Sequence, residues 1–338
     1  MWHNALTVES LYSIPPLRMA RIACELRPEG VYYSPVQERG NMLRGAFGDK
    51  LRQLVCSTDR ETCERCPQAA ECPFQLLFAP RSEEGKSEGR GTPPKAYLIR
   101  SMLDEGAEFN SSRPLRFELR LFGSAIESAD TILRPFALWA EHRNPQRRVQ
   151  LASAFSLDWN DRPSAQLAEA GRLTGSKAVS LDFGPCFAKP VYSSAATLHY
   201  MTPMWLKEKK VEGEKHRKDV RIPTIEALVR EVRSRIWLLS KSHEDREWKH
   251  DSVRIDELAK RARNLAKDGE WVDRSRYSSH TDQSMPMGGF VGKILCEGID
   301  PALWPLLRIG AEIHAGRYTA WGNGWYRIQP ARHTGDPR

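Results

Sequence analysis

The chain has 338 residues, 40% of them apolar and 28% charged, which suits a folded protein of about two domains rather than a disordered one. No apolar run approaches the roughly 18 residues of a membrane span. The N-terminus lacks the basic and apolar segments of a signal peptide, so a cytoplasmic protein with reduced cysteines and no membrane partner is expected. Against 43 Asp and Glu stand 51 Lys and Arg, and the resulting net charge of +8 favours a polyanion such as nucleic acid.

In chain order, residues 17–27 alternate Ile22, Cys24 and Leu26 against Arg21, Ala23 and Glu25, the pattern of a half-buried strand. Residues 41–55 place Leu43, Phe47, Leu51, Leu54 and Val55 on one side of a helix. Gly45 and Gly48 each cost that helix about 1 kcal/mol relative to Ala, which close approach by protein or RNA would compensate. The polar stretch 80–94 reads as a loop. Residues 115–121 form a strand with Leu115, Phe117, Leu119 and Leu121 inward and Arg116, Glu118 and Arg120 outward, and 126–142 read as a helix. Strand, helix, strands and helix within about 140 residues fit a ferredoxin-like α+β sandwich. The basic stretch Arg143–Arg148 is the expected boundary, giving domains of residues 1–145 and 146–338.

The second half begins with strand-like pieces at 149–157, 178–183 and 194–200. From Lys207 to Arg276 run 20 Lys and Arg against 15 Asp and Glu, a net of +5. Ile225, Leu228, Val229, Val232, Ile236 and Leu239 mark one amphipathic helix there. Ile255, Leu258, Ala259, Ala262, Leu265 and Ala266 mark another, so 207–276 reads as a helical insertion. Its basic face carries Arg230, Arg233, Lys241, Arg254, Arg261 and Lys267, and either grips the phosphates of an RNA hairpin or is a solvated face. A strand at 288–298, a helix at 301–313 and a last strand at 325–328 complete a second ferredoxin-like unit.

Cys56, Cys63, Cys66 and Cys72 are spaced C-x6-C-x2-C-x5-C, the set for a closed tetrahedral structural zinc site or, failing that, a cluster of thiols. Cys24, Cys186 and Cys296 belong to the core. In the run from Leu306 to Ile328, the glycines at 310, 316, 322 and 324 let the backbone turn tightly, where exposed N–H groups and Arg317 could hold a phosphate.

The run RYSSHTDQSMPMGGFVG (276–292), joined to G-x3-H-x-G-x4-W-G-x-G-x-Y, resembles the C-terminal signature of the CRISPR-associated precursor-RNA-processing endoribonucleases, Cas family six of the repeat-associated RNA-binding superfamily. MLRGAFGDKLRQLVC, the cysteine cluster and FQLLF (74–78) are similar to the zinc-bearing branch, and MTPMWLK (201–207) fits as well. The resemblance implies an α+β chain of tandem ferredoxin-like (RRM-like) domains around an RNA-binding cleft. The zinc loop would span 56–72 and the glycine-rich loop 310–324. It implies metal-independent cleavage of CRISPR repeat RNA, with 2′-OH attack leaving 2′,3′-cyclic phosphate and 5′-OH ends, zinc as a structural ion, and the mature crRNA and other Cas effector subunits as partners. A His in the first helix often supplies the base in the family; here Asp49 stands at that position. Arg39, Arg44, Lys50, Arg52 and Tyr33 become the catalytic candidates, with Arg44 and Arg52 open to structural roles. The RNA-binding candidates are the basic face together with His280, His314, Gly316, Arg317, Gly322 and Gly324; His314 either bonds RNA or holds its loop. A non-catalytic crRNA-binding subunit of an effector complex is the alternative reading.

Overall fold

A computed structural model describes residues 8–57, 63, 66–68, 71–78, 93–103, 105–141, 148–188, 191, 193–209, 213, 216–278 and 283–331. The chain divides into two compact units, one of Pro16–Asp182 and Leu238–Arg246, the other of Met1–Pro15, Phe183–Trp237 and Glu247–Arg338.

The N-terminal unit runs β1 (Met19–Pro28), β2 (Tyr32–Tyr33), α1 (Val36–Val55), α2 (Pro73–Phe78), β3 (Tyr97–Ser101), β4 (Glu108–Phe109), β5 (Leu115–Phe122), α3 (Ala129–Ala137), β6 (Val149–Leu157), β7 (Pro163–Glu169) and β8 (Arg172–Leu173). Its main sheet has the order β3-β5-β1-β6-β7-β8. The first four of these strands, with α1 and α3 as crossovers, are a ferredoxin-like sheet; β7 and β8 extend one edge. Because β6 pairs with β1, with Ile22 opposite Ser156 and Cys24 opposite Ala154, residues 149–182 fold with the N-terminal unit. The observed division therefore lies past the expected one near residue 145. The expected strand 178–183 reduces to a single bridge from Leu181 to Met19.

The helix face of this sheet buries Ile22, Cys24, Leu26, Ile99, Phe117 and Leu119. Helix α1 answers with Leu43, Phe47 and Leu51, four residues apart, while Leu54 in its last turn is exposed. Much of the opposite face is buried as well, which corrects the expectation of outward charges: Arg21, Glu118 and Arg120 are buried and Glu25 is half-buried, while Arg116 reaches solvent. Arg21 and Arg120 both bind the Glu118 carboxylate, at 2.9 and 2.8 Å. The turn after β6 closes over Arg21, taking its guanidinium on Asp158 O and Asp161. Burial opposes ionisation of Glu118, but the charges of Arg120, Arg100 and Arg21 outweigh it and hold the carboxyl well below its usual value.

The second unit runs α4 (Gly184–Ala188), β9 (Ala195–Met204), β10 (Leu206–Lys207), β11 (Asp219–Val220), α5 (Ile225–Glu244), α6 (Ser252–Ala259), β12 (Arg263–Val272), β13 (Ser275–Ser278), β14 (Gln283–Pro286), β15 (Gly289–Glu297), α7 (Trp304–Ile313) and β16 (Tyr326–Pro330). The last residues of α5 count with the other unit. Its four-stranded antiparallel sheet has the order β12-β15-β9-β16, again ferredoxin-like, with α5 and α7 as crossovers. This corrects the helical insertion: α5 is the first crossover helix of the fold itself. The second expected helix stops at Ala259, so Leu265 and Ala266 lie on β12, paired with β15. Strand β12 is an edge strand with mostly exposed side chains, so it carries no alternating apolar pattern to reveal it. Among the described residues, no helix is long and apolar enough to cross a membrane.

Candidate nucleic-acid interface

In the N-terminal unit, Pro35 precedes α1 and the helix ends at Cys56, where the backbone turns extended. On α1, Arg39 is fully buried. Its guanidinium donates to the carbonyls of Met102, Ser34, Glu105 and Gly106 and lies 4.8 Å from the Phe109 ring. Arg39 is thus a structural cation that fastens the 102–106 loop, which corrects its place among the catalytic candidates. Tyr33 is exposed. Asp49 is exposed as well, and Arg44, Lys50 and Arg52 are part-buried along α1. The Arg44 guanidinium sits 4.9 Å from the Phe78 ring. Phe78 fills the notch at Gly48, where an added Cβ would stand 2.8 Å from the ring, so the close approach there comes from protein. No described atom lies within 4 Å of such a Cβ at Gly45.

Lys95, just before β3, donates to the Phe78 carbonyl. Burial, and then the charge of Arg44, pull its amine down to about 8. The sequence around this lysine does not mark it, because nothing local to residues 93–97 indicates that α2 will cover it.

Cys56 follows α1, Cys72 precedes α2, and the Cys66 N–H reaches the Cys63 carbonyl at 3.4 Å. All seven cysteines are thiols. Among the described residues, no three His, Cys, Asp or Glu side chains gather as a metal site.

In the C-terminal unit the expected basic face separates into two kinds of residue. Arg233 binds both oxygens of Asp256 at 3.0 and 3.2 Å, and Arg230 donates to the Lys207 carbonyl at 2.5 Å, so both are tied within the unit. Arg254, Arg261 and Lys267 are exposed, as is Lys241 on the part of α5 that counts with the N-terminal unit. His280 lies outside the described residues.

The glycine-rich loop between α7 and β16 differs from its expected role. The amides of Arg317 and Gly324 donate to the carbonyls of Trp205 and Pro203 at 3.1 and 3.0 Å, and those of Ala315, Trp321, Gly322 and Asn323 to carbonyls within the loop. These N–H groups are therefore not available as a phosphate cradle. At Gly316 and Gly324, both at positive φ, an added Cβ would strike Trp205 O and Ala315 O; Gly322 also has positive φ, 89°. The glycines serve close packing of chain on chain. His314 is fully buried, bonds Asn323 O through Nδ1 at 3.0 Å and lies parallel to Trp325, contacts that hold the loop. Tyr318, at φ 60° and ψ 29°, takes a left-handed conformation uncommon for a residue with a side chain. Arg317 is exposed.

Two ferredoxin-like units in one chain, the second ending in a packed glycine-rich loop, define the class: a tandem ferredoxin-like protein. Residues 198–326 match the model of the CRISPR-associated endoribonuclease Cas6, and residues 17–172 match that of the AF_1859 N-terminal domain. The Cas6 match covers the C-terminal unit from β9 to the start of β16, and the AF_1859 match covers most of the N-terminal unit. Solved structures agree on the fold. Cas6 from Thermus thermophilus is 13% identical at a TM-score of 0.51, covering 93% of this chain and 99% of its own. A Cas6 product complex is 14% identical at 0.52, covering 92% and 99%. A partial Cas6-RT-Cas1–Cas2 complex is 12% identical at 0.55, covering 96% of this chain and 47% of that larger one. No curated protein matches the chain by sequence.

Proposed function

We propose that the protein cleaves the repeat of precursor CRISPR RNA without a catalytic metal and stays bound to the mature crRNA. The ribose 2′-OH attacks the adjacent phosphate, the 5′ oxygen of the next nucleotide leaves, and the products carry 2′,3′-cyclic phosphate and 5′-OH ends. The family match over residues 198–326 carries this reading.

The chemistry asks for cations around the anionic transition state, a group to accept the 2′-OH proton and an acid, a side chain or water, to protonate the departing 5′ oxygen. With no His on α1, Arg44, Lys50 and Arg52 supply the cations in this reading, and Tyr33 a nearby hydroxyl. Arginine stays protonated at neutral pH and serves charge stabilisation better than proton abstraction. In this reading Lys95, whose amine burial and then the charge of Arg44 lower to about 8, accepts the proton, and a rate that depends on its neutral form rises as pH increases towards 8 and then levels. Zinc, held by Cys56, Cys63, Cys66 and Cys72, has a purely structural part in the proposal: it draws the thiols together and orders the loop between α1 and α2.

The test is single-turnover cleavage of repeat-containing RNA in EDTA, with analysis of the product ends. Arg44→Ala, Lys50→Ala, Arg52→Ala and Lys95→Ala are compared at saturating protein. The expected outcome is cleavage in EDTA with cyclic-phosphate ends, and a loss on the order of 10²-fold in at least one of these variants. Tight binding without cleavage would instead establish the crRNA-binding subunit, the reading that the His-free α1 favours.

A further inference from the structure

The rings beside the glycine-rich loop form a continuous series in the C-terminal unit. Trp271 on β12 meets Trp205 at 5.8 Å between centroids, Trp205 meets Tyr318 at 6.0 Å, and Tyr318 meets Trp321 at 5.6 Å. Each ring has a cation against it. Arg221 lies 4.4 Å from Trp271, Arg317 lies 5.0 Å from Trp205 and 5.9 Å from Tyr318, and Arg276 lies 6.0 Å from Trp321. Lys207 is 5.4 Å from Trp205 but is paired with Asp219, which also accepts from Trp205 Nε1. Asp273 takes Trp271 Nε1. The indole N–H groups of Trp205 and Trp271 are thereby tied within the unit, which fixes the planes of both rings.

Trp205 is buried and anchors the series. Trp271, Tyr318 and Trp321 are half-buried, and Arg221 and Arg317 are exposed. Aromatic rings and guanidinium planes alternating along one surface are the equipment for stacking unpaired nucleobases while cations meet the phosphates between them. Charge complementarity selects the occupant, because a guanidinium lies against each half-buried ring of the series, Arg221 by Trp271, Arg317 by Tyr318 and Arg276 by Trp321. With the amides of Ala315, Arg317, Trp321, Gly322, Asn323 and Gly324 bonded to carbonyls of the unit, side chains carry recognition at this loop. The left-handed Tyr318 places a ring next to Arg317 at this surface.

We propose that Trp271, Tyr318 and Trp321, with Arg221, Arg276 and Arg317, form a stacking platform for a single-stranded segment of the bound RNA. The identity of the polyanion as CRISPR RNA rests on the preceding functional reading; the platform itself reads bases by their faces. Stacking of this kind is sequence-tolerant, so the probe can be a homopolymer.

The test measures binding of the full chain to a twelve-nucleotide oligoadenylate and to a twelve-unit abasic ribose-phosphate of equal charge. The wild type is expected to bind the oligoadenylate about tenfold more tightly. Trp271→Ala and Trp321→Ala should erase that preference and leave abasic binding unchanged. Trp271→Phe and Trp321→Phe should restore it, and the exposed Arg221→Ala should reduce it without altering thermal unfolding. Equal binding of both oligomers by the wild type, or a preference that survives in both alanine variants, overturns the platform, as does failure to bind either. Cleavage of repeat RNA is assayed in parallel. A base preference without cleavage sinks the endonuclease reading alone, and cleavage without a base preference sinks the platform alone.

Discussion

Buried charge decides much at the scale of single residues. Arg39 and Glu118 both lie in the N-terminal unit, and neither is legible as buried from the sequence, because polar residues alternate with apolar ones around both. Whether a charged residue is buried depends on what covers the second face of its sheet or the far side of its helix. For Arg21 that cover is the 158–162 turn, more than 130 residues away in the chain. Arg39→Ala removes a guanidinium serving several carbonyls and is expected to cost about 3 kcal/mol, read as a lower urea midpoint with unchanged slope. A variant of wild-type stability that binds RNA but no longer cleaves it would return Arg39 to the catalytic set. Glu118→Gln breaks a buried ion pair and is expected to cost about 3–5 kcal/mol. Its carboxyl is held below the ordinary value of 4.5, so its contribution is complete above about pH 4.5 and declines as the pH falls below it. Urea midpoints taken from pH 7 to pH 3 should therefore fall for the wild type and converge on those of Glu118→Gln. Parallel curves for the two proteins would remove Glu118 from the acid response.

Among elements, those with a strong apolar period were readable. The α5 stripe from Ile225 to Leu239 is buried as expected, and the four-residue spacing of Leu43, Phe47 and Leu51 in α1 holds to Leu51. Elements whose identity depends on a partner were not readable. Strand β12 is fixed by pairing with β15, where Gly269 and Gly292 let the two backbones come close, and its own side chains face solvent. The glycine-rich loop was found, but its glycines answer to Trp205 and Ala315 and not to a phosphate. The proposed zinc site comprises the four cysteines between α1 and α2. One zinc per chain is expected by elemental analysis of freshly purified protein. Cys63→Ser should lower that content together with the unfolding temperature, while cleavage at low temperature persists, because a closed structural site contributes folding free energy and no chemistry. Metal-free protein with an unchanged unfolding temperature would dismiss the ion.

For the whole molecule, a net charge of +8 favours a polyanion, and under the proposed function the fold decides which charges remain for RNA. Arg230 and Arg233 looked equivalent to Arg254 and Arg261 in the sequence, but the first pair is bound to Lys207 O and Asp256, and the second is exposed on and just after α6. An arginine already tied to a carboxylate releases few counterions from RNA, because meeting a phosphate would first break its own pair. Charge reversal at Arg254 and Arg261 should therefore weaken RNA binding while leaving the unfolding temperature near wild type. Reversal at Arg233 should lower stability first, by stranding Asp256. The quantity to measure is the slope of log K against log salt. Each phosphate of a single strand that the protein no longer neutralises should make that slope shallower by about 0.7. Arg254→Glu with Arg261→Glu should thus reduce it by about 1.4, and Glu257→Lys, an exposed change on the same helix, should steepen it. Slopes indistinguishable from wild type in both variants would place the RNA path away from α6.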